Sequence, residues 1–176
     1  MSARYDKLSV GSSVEWYTPP EIFDALRLTF DLDVCAPPGG LPWIPAERSF
    51  SRADDGLAQE WHGRVWMNPP YGLQIRPWMQ KLARHGDGIT LVHARTDTAW
   101  FREATAAATA ICFIAGRVRF VRGATMSSKG PGSPVSNVLL AFGQTCAVAL
   151  IEANLGPTLL IPGGLRPDGY DHPRKS

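Results

Sequence analysis

Two hydrophobic rhythms alternate along this chain, and that alternation constrains its fold more than any other feature. Short apolar runs (FDLDVCA, GRVWMN, GITLVHAR, VSNVLLAFG and the final TLLIP) read as strands bounded by turn residues. Segments with helical spacing lie between them. EIFDALRLTF sets Ile22, Phe23, Leu26 and Phe30 at helical intervals, behind Pro19 and Pro20, which suit a helix start. IRPWMQKLARHG is a helix closed by Gly86, and Asp97 can cap the following TAWFREATAAA. Residues 144–154 form a last helix. Strands alternating with helices predict an α/β domain, with a mostly parallel sheet covered by helices on both faces. At 176 residues the chain has the length of one domain, and an apolar content of 44% supplies its core.

Finer expectations follow. In FDLDVCA, Phe30, Leu32, Val34 and Ala36 alternate against Asp31, Asp33 and Cys35, a short strand ending near Cys35. RSF reads as a second short strand, ADDGLAQEW as a strand end running into a short helix, and AICFIAGRVRFV as one long or bulged strand broken at Gly116. The stretches 37–46 and 123–134 are turn-rich insertions. The expected organisation is a flexible N-terminus (1–14), one domain (15–162) and a mobile C-terminal tail (163–176), with no internal repeat.

Composition excludes several classes. Charged residues make up 19%, too few for a disordered or supercharged chain. Lys and Arg total 18 against 16 acidic residues, a net +2 that does not by itself announce a nucleic-acid binder. Fourteen of the basic residues are arginine, which suits bidentate contacts to phosphate or carboxylate. Cys35, Cys112 and Cys146 are far apart and odd in number, and the four histidines form no short cluster, so neither a disulfide framework nor a metal site is expected. No apolar run approaches membrane-spanning length and no signal-like stretch opens the chain, so a cytoplasmic setting without membrane contact is expected.

In parallel sheets, ligands sit beyond the carboxyl ends of the strands. The tetrapeptide Asn68-Pro69-Pro70-Tyr71, directly after an apolar strand, therefore draws the closest scrutiny. It reads equally as an ordinary strand-ending turn. Its chemistry allows more. Neither proline has an N–H and both have a fixed φ, so the Pro69 carbonyl points in a defined direction beside the Asn68 amide oxygen. Two converging acceptors match a planar NH2 group, such as adenine N6 or a glutamine amide. Tyr71 adds an aromatic face for a flat base.

Asn-Pro-Pro-Tyr resembles the catalytic motif of adenosylmethionine-dependent amino-methyltransferases. The ordered set Glu15-Trp16-Tyr17-Thr18-Pro19, Phe30 to Ala36, Asp54-Asp55-Gly56-Leu57, Arg64 to Tyr71 and Gly116-Arg117-Val118-Arg119-Phe120 is similar to the phage-type (Dam-like) DNA N6-adenine methyltransferase family over about residues 14–145. That resemblance implies a Rossmann-like methyltransferase fold, S-adenosylmethionine as cofactor and DNA as partner, in the host cytoplasm if the chain is phage-encoded. It implies that Thr18 and Pro19 lie against the methionine end of the cofactor. It puts Asp33, Cys35 and Ala36 in the cofactor loop, with Asp33 near the methionine amino group, and Asp54 or Asp55 on the cofactor adenine. Asn68, Pro69, Pro70 and Tyr71 would be catalytic. The usual glycine-rich turn is replaced by Ala36-Pro37-Pro38-Gly39-Gly40, tolerable because this cofactor carries no phosphate. No clear acid for the ribose hydroxyls appears, Glu47 being the nearest.

Alternatives stand beside these roles. Cys35 reads as a small packing residue rather than a nucleophile, and a solvated helix cap is the lesser reading of Asp54-Asp55. Arg117, Arg119, Arg122 and Lys129 form either a solvated face or a strip contacting DNA phosphates. The chain leaves little room for a separate recognition domain, so sequence selectivity would come from short loops, a homodimer or another partner. Rival functions are methylation of adenine in RNA, methylation of glutamine N5 in protein, and a non-catalytic nucleic-acid-binding relic of the fold.

Overall fold

The computed structural model describes residues 16–72, 74–123, 130 and 132–162. The predicted tails and Lys129 lie outside them. The elements in order are β1 (Trp16–Tyr17), α1 (Pro20–Leu26), β2 (Phe30–Asp33), β3 (Ala46–Ser49), β4 (Val65–Met67), α2 (Ile75–His85), β5 (Gly88–His93), α3 (Ala99–Ala107), β6 (Ala110–Phe113), β7 (Val121–Arg122), β8 (Asn137–Phe142), α4 (Gln144–Glu152) and β9 (Thr158–Leu160). Seven strands form one sheet in the order β3-β2-β4-β5-β8-β6-β9, and β1 pairs with β7 as a separate ribbon. The domain is α/β, as expected.

The sheet is mixed rather than mostly parallel. β3, β2, β4 and β5 pair in parallel, whereas β8 runs antiparallel to both β5 and β6, and β9 antiparallel to β6. The parallel half needs crossovers: α2 supplies the one between β4 and β5, and turns supply those from β2 to β3 and from β3 to β4. The antiparallel half begins where VSNVLLAFG inserts between β5 and β6.

Helices cover both faces. Ile22, Phe23 and Leu26 of α1 pack with Cys146, Ala147 and Leu150 of α4 on one face, against Trp66, Ile89, Leu91 and Leu139. Trp78, Met79 and Leu82 of α2 and Phe101 and Ala104 of α3 pack on the other, against Val65, Met67, Val92 and Leu140. Alternation along each strand divides the two sets. Trp66 anchors the α1 face, with Phe23 at 4.6 Å and Phe30 at 5.5 Å between ring centroids, both edge-on.

Several expected boundaries shift for local reasons. The first helix stops at Leu26 because Arg27 turns left-handed (φ 49°), which frees Phe30 to open β2. The amides of Asp31 and Leu32 both donate to the Arg64 carbonyl (2.8 and 3.3 Å), and this doubling breaks the expected alternation. Phe30 therefore faces α1, while Leu32 and Val34 face α2. ADDGLAQEW forms turns rather than a strand end and helix. Asp97 does not cap α3. Thr98 is its N-cap residue, and Asp97 instead accepts from Arg95 Nε at 3.4 Å. The long strand proposed over 110–121 splits: β6 ends at Phe113, and the chain leaves the sheet to pair with β1 as β7. The helix closed by Gly86 is as read, with φ 79° at that glycine.

A close backbone approach holds the acidic turn against the sheet. A Cβ on Gly56 would lie 2.6 Å from the Val34 carbonyl oxygen and 3.1 Å from the Trp78 ring. Gly56→Ala is therefore expected to destabilise the domain by roughly 1–3 kcal/mol, as overpacking does. Urea denaturation would measure it, and an unchanged midpoint would contradict this packing.

Candidate active site

The parallel pairing of β2, β4 and β5 brings three strand exits to one end of the sheet. Asp33 lies opposite Trp66, and the Val34 amide donates to the Trp66 carbonyl at 3.1 Å, so the exits of β2 and β4 are stitched side by side. Asp33, Cys35 and Ala36 thereby adjoin the strand that leads into Asn68-Pro69-Pro70-Tyr71. The ribbon strand β1 reaches the same end: Asn68 Nδ2 donates to the Trp16 carbonyl at 3.4 Å. Thr18 and Pro19 follow directly, Pro19 as the N-cap residue of α1.

Asp33 is 3% exposed, and its side chain faces the Trp66 side of the sheet. It accepts the Cys35 amide at 3.1 Å, and among the described residues no cation lies within salt-bridge distance. Desolvation raises its pKa from 3.8 to about 7, the Cys35 amide offsetting part of the rise. The Thr18 hydroxyl, on a residue 1% exposed, has no hydrogen-bond partner among the described residues. A buried carboxylate without a cation and a buried hydroxyl without a partner both disfavour the fold unless something polar meets them. An ammonium group fits Asp33, and a polar ligand atom fits Thr18. The Cys35 thiol is pushed well above its ordinary pKa by burial and by Asp33, so it is no thiolate nucleophile.

Asn68 and Tyr71 meet. The Tyr71 hydroxyl donates to Asn68 Oδ1 at 3.4 Å. This bond and the one to Trp16 are long enough to yield readily to an incoming donor or acceptor. The Tyr71 ring is 41% exposed, and it stacks on His93 with centroids 3.9 Å apart and planes 9° from parallel. Burial and the nearby Arg95 lower the His93 pKa to about 4, so the imidazole is neutral around pH 7. The sequence reading passed over His93. Its signal was its position at the end of GITLVHAR, meaningful only once β5 is known to neighbour β4.

Asp54 and Asp55 sit beyond the β3 exit and are exposed. Phe50 links this exit to β2: its amide donates to the Asp33 carbonyl and its carbonyl accepts from Ala36. One Asp54 oxygen accepts both the amide and the hydroxyl of Ser51 (2.7 and 2.6 Å), which lowers the Asp54 pKa. Asp54 thus fastens its own turn, and Asp55 adopts a left-handed conformation (φ 52°) beside it. Lys81 of α2 clamps the turn from behind, donating to the carbonyls of Gly56, Leu57 and Gln59 and lying over the Trp61 ring. Glu47 is exposed on the edge strand β3.

Arg117 and Arg119 point outward, alternating with the buried Val118 and Phe120. Arg117 donates to the Ser133 carbonyl at 3.2 Å, and among the described residues none of Arg117, Arg119 and Arg122 is paired with an acid. Arg122 lies opposite Trp16 in the β1–β7 ribbon, so this basic segment is one strand removed from the Asn68 contact.

Asp33 and the Asn68-Pro69-Pro70-Tyr71 turn thus lie at adjacent parallel strand ends of an α/β domain. The sequence profile described as DNA N-6-adenine-methyltransferase (Dam) matches residues 7–148, and the chain belongs to that family. The activity this implies is methylation of DNA adenine at N6, with a methyl donor. Among curated proteins none matches the chain. No helix among the described residues is long and apolar enough to cross a membrane.

Asp33 links the site to stability. Its folded-state pKa lies above the unfolded value of about 4, so its contribution is present below pH 4 and is lost as pH rises through about 7. Asp33→Asn is therefore expected to stabilise the protein at pH 8, by on the order of a few kcal/mol, and to leave stability near pH 4 almost unchanged. Equal effects at the two pH values in thermal denaturation would contradict a buried, unpaired carboxylate.

Proposed function

We propose that this protein transfers the methyl group of S-adenosylmethionine to N6 of an adenine in DNA, with the base presented outside the helix stack. The observation that supports this reading is the adjacency of two features: a buried acid with no cation near it among the described residues, and the Asn68-Pro69-Pro70-Tyr71 turn with its half-exposed aromatic ring. The cofactor supplies an electrophilic sulfonium methyl. Everything else falls to the chain's own side chains.

Asp33, ionised, binds the ammonium end of the cofactor, and Thr18 gives its unpartnered hydroxyl to the same end. Asp54 fixes the β3 exit through Ser51, which leaves Asp55 as the acid for the cofactor adenine. Asn68 Oδ1 and the Pro69 carbonyl accept the two hydrogens of the target amine. Adenine N6 is a poor nucleophile because its lone pair is delocalised into the ring. Two acceptors on its hydrogens draw it toward a tetrahedral shape, and in-line positioning supplies much of the acceleration. Tyr71 holds the ring plane, exchanging its long bond to Asn68 for the stack. Inside a duplex this nitrogen is out of reach, which is why the base must leave the stack. Arg117, Arg119 and Arg122 hold flanking phosphates.

Two experiments test the reading. Asn68→Ala removes one acceptor for the target amine, worth about 1–3 kcal/mol or more in the transition state once the base has displaced water. Methyl transfer to DNA should fall at least about tenfold, while calorimetry finds S-adenosylmethionine binding within a few-fold of wild type. Near-normal turnover in a folded Asn68→Ala protein would sink the catalytic role. For the arginines, DNA affinity should weaken by roughly 0.9 log units per log salt for each phosphate neutralised. The double variant Arg117→Ala/Arg119→Ala should flatten that slope and spare cofactor binding. An unchanged slope would mean the strip is a solvated face.

A further inference from the structure

Beyond the Asn68 turn, the same end of the sheet carries a second polar group that nothing above employs. Asn137 opens β8 and lies directly opposite His93 of β5 in the antiparallel register. Directly opposed residues project to the same face of a sheet, so Asn137 stands beside the imidazole that stacks on Tyr71. Asn137 is 3% exposed, and among the described residues neither its Nδ2 nor its Oδ1 has a hydrogen-bond partner. An amide buried with both ends unsatisfied is an arrangement folded proteins rarely keep without a use.

Position across the sheet says what that use is. In the order β3-β2-β4-β5-β8, the acids Asp33 and Asp55 lie on or beyond β2 and β3, to one side of the Asn68 turn on β4. His93 and Asn137 lie to the other side. If the β2–β3 side holds the cofactor, the β5–β8 side is where the acceptor base must sit. His93 covers one face of Tyr71, and Tyr71 remains 41% exposed.

Resting on the methyltransferase reading, we infer that His93 and Asn137 complete the acceptor-base subsite, His93 as the positioning residue behind Tyr71 and Asn137 as the residue that reads the ring nitrogen beside the target amine. With both N6 hydrogens held by Asn68 and Pro69, the Asn137 amide donates from Nδ2 to the ring nitrogen flanking the amino group. A base with a protonated nitrogen there is refused, because it would meet a donor with a donor. The neutral imidazole holds the Tyr71 ring from behind, so that the exposed part of the ring is fixed where the base arrives.

The test uses the full chain, tritiated S-adenosylmethionine and unmethylated plasmid DNA. Asn137→Leu removes the unsatisfied amide at similar volume. Its melting temperature should rise, while kcat/KM for DNA falls at least about tenfold and cofactor affinity by calorimetry is unchanged. Activity within twofold of wild type in Asn137→Leu overturns the reading role. His93→Ala should raise KM for DNA about fivefold or more, and His93→Phe should restore it by restoring the stack. Failure of His93→Phe to rescue overturns the positioning role. A lower KM in His93→Ala also overturns it, by showing that the imidazole occupies the place of the base. The underlying reading fails separately: no methyl transfer to DNA by the wild-type protein removes both. Transfer that Asn68→Ala abolishes, with the Asn137 and His93 variants unaffected, removes this inference alone.

Discussion

The hydrogen bond from the Val34 amide to the Trp66 carbonyl, at 3.1 Å, closes the parallel β2–β4 pairing, and the candidate site depends on it. It fixes two strand exits next to one another, so that residues more than thirty positions apart in sequence share one end of the sheet. Antiparallel pairing would have sent Asp33 and Asn68 to opposite ends. Parallel pairing requires a long crossover, and here the 34–64 segment supplies it, carrying β3 and the acidic turn to the same end. Gly56 keeps that turn close, because its missing Cβ leaves room for the Val34 carbonyl. The buried Trp66 then serves both purposes, as the aromatic anchor of the α1 face and as the strand partner that holds Asp33 in position.

The polar groups at this end of the sheet have a common character. Asp33 is buried without a cation, and the Thr18 hydroxyl and the Asn137 amide are buried without partners. Each costs stability in the free protein, and each is of the kind that a bound ligand would satisfy. Sites that bind polar ligands commonly hold such groups in place before the ligand arrives, so that little ordering remains to be done on binding. The apolar residues around them, Trp66, Leu91 and Leu139 among them, are almost fully buried and supply the rigidity. The Asn68 and Tyr71 contacts are different, long and half-exposed, and free to re-form around a base.

Much of this was legible in the residues. Pro19-Pro20, Gly86 and the apolar periodicities located helices and strands, and Asn68-Pro69-Pro70-Tyr71 stood out because two prolines of fixed φ follow an amide oxygen at a strand end. What the residues did not disclose was long-range. Nothing local in VSNVLLAFG says that it runs antiparallel between β5 and β6, so the mixed sheet was missed. Nothing local in Arg117 to Arg122 says that the chain has left the main sheet to pair with Trp16 and Tyr17. The phase slip at Asp31 and Leu32 comes from a shared carbonyl on Arg64, thirty-odd residues away. His93 and Asn137 were invisible for the same reason, since each matters only through its neighbour on the adjacent strand.

The central claim is that the acceptor is an adenine amino group in DNA. Mass spectrometry of nucleosides, taken from unmethylated DNA after incubation with the protein and S-adenosylmethionine, tests it most directly. The account predicts N6-methyladenine as the product, dependent on Asn68. Methylated cytosine, or methyl transfer confined to protein glutamine with the DNA left unmodified, would contradict it.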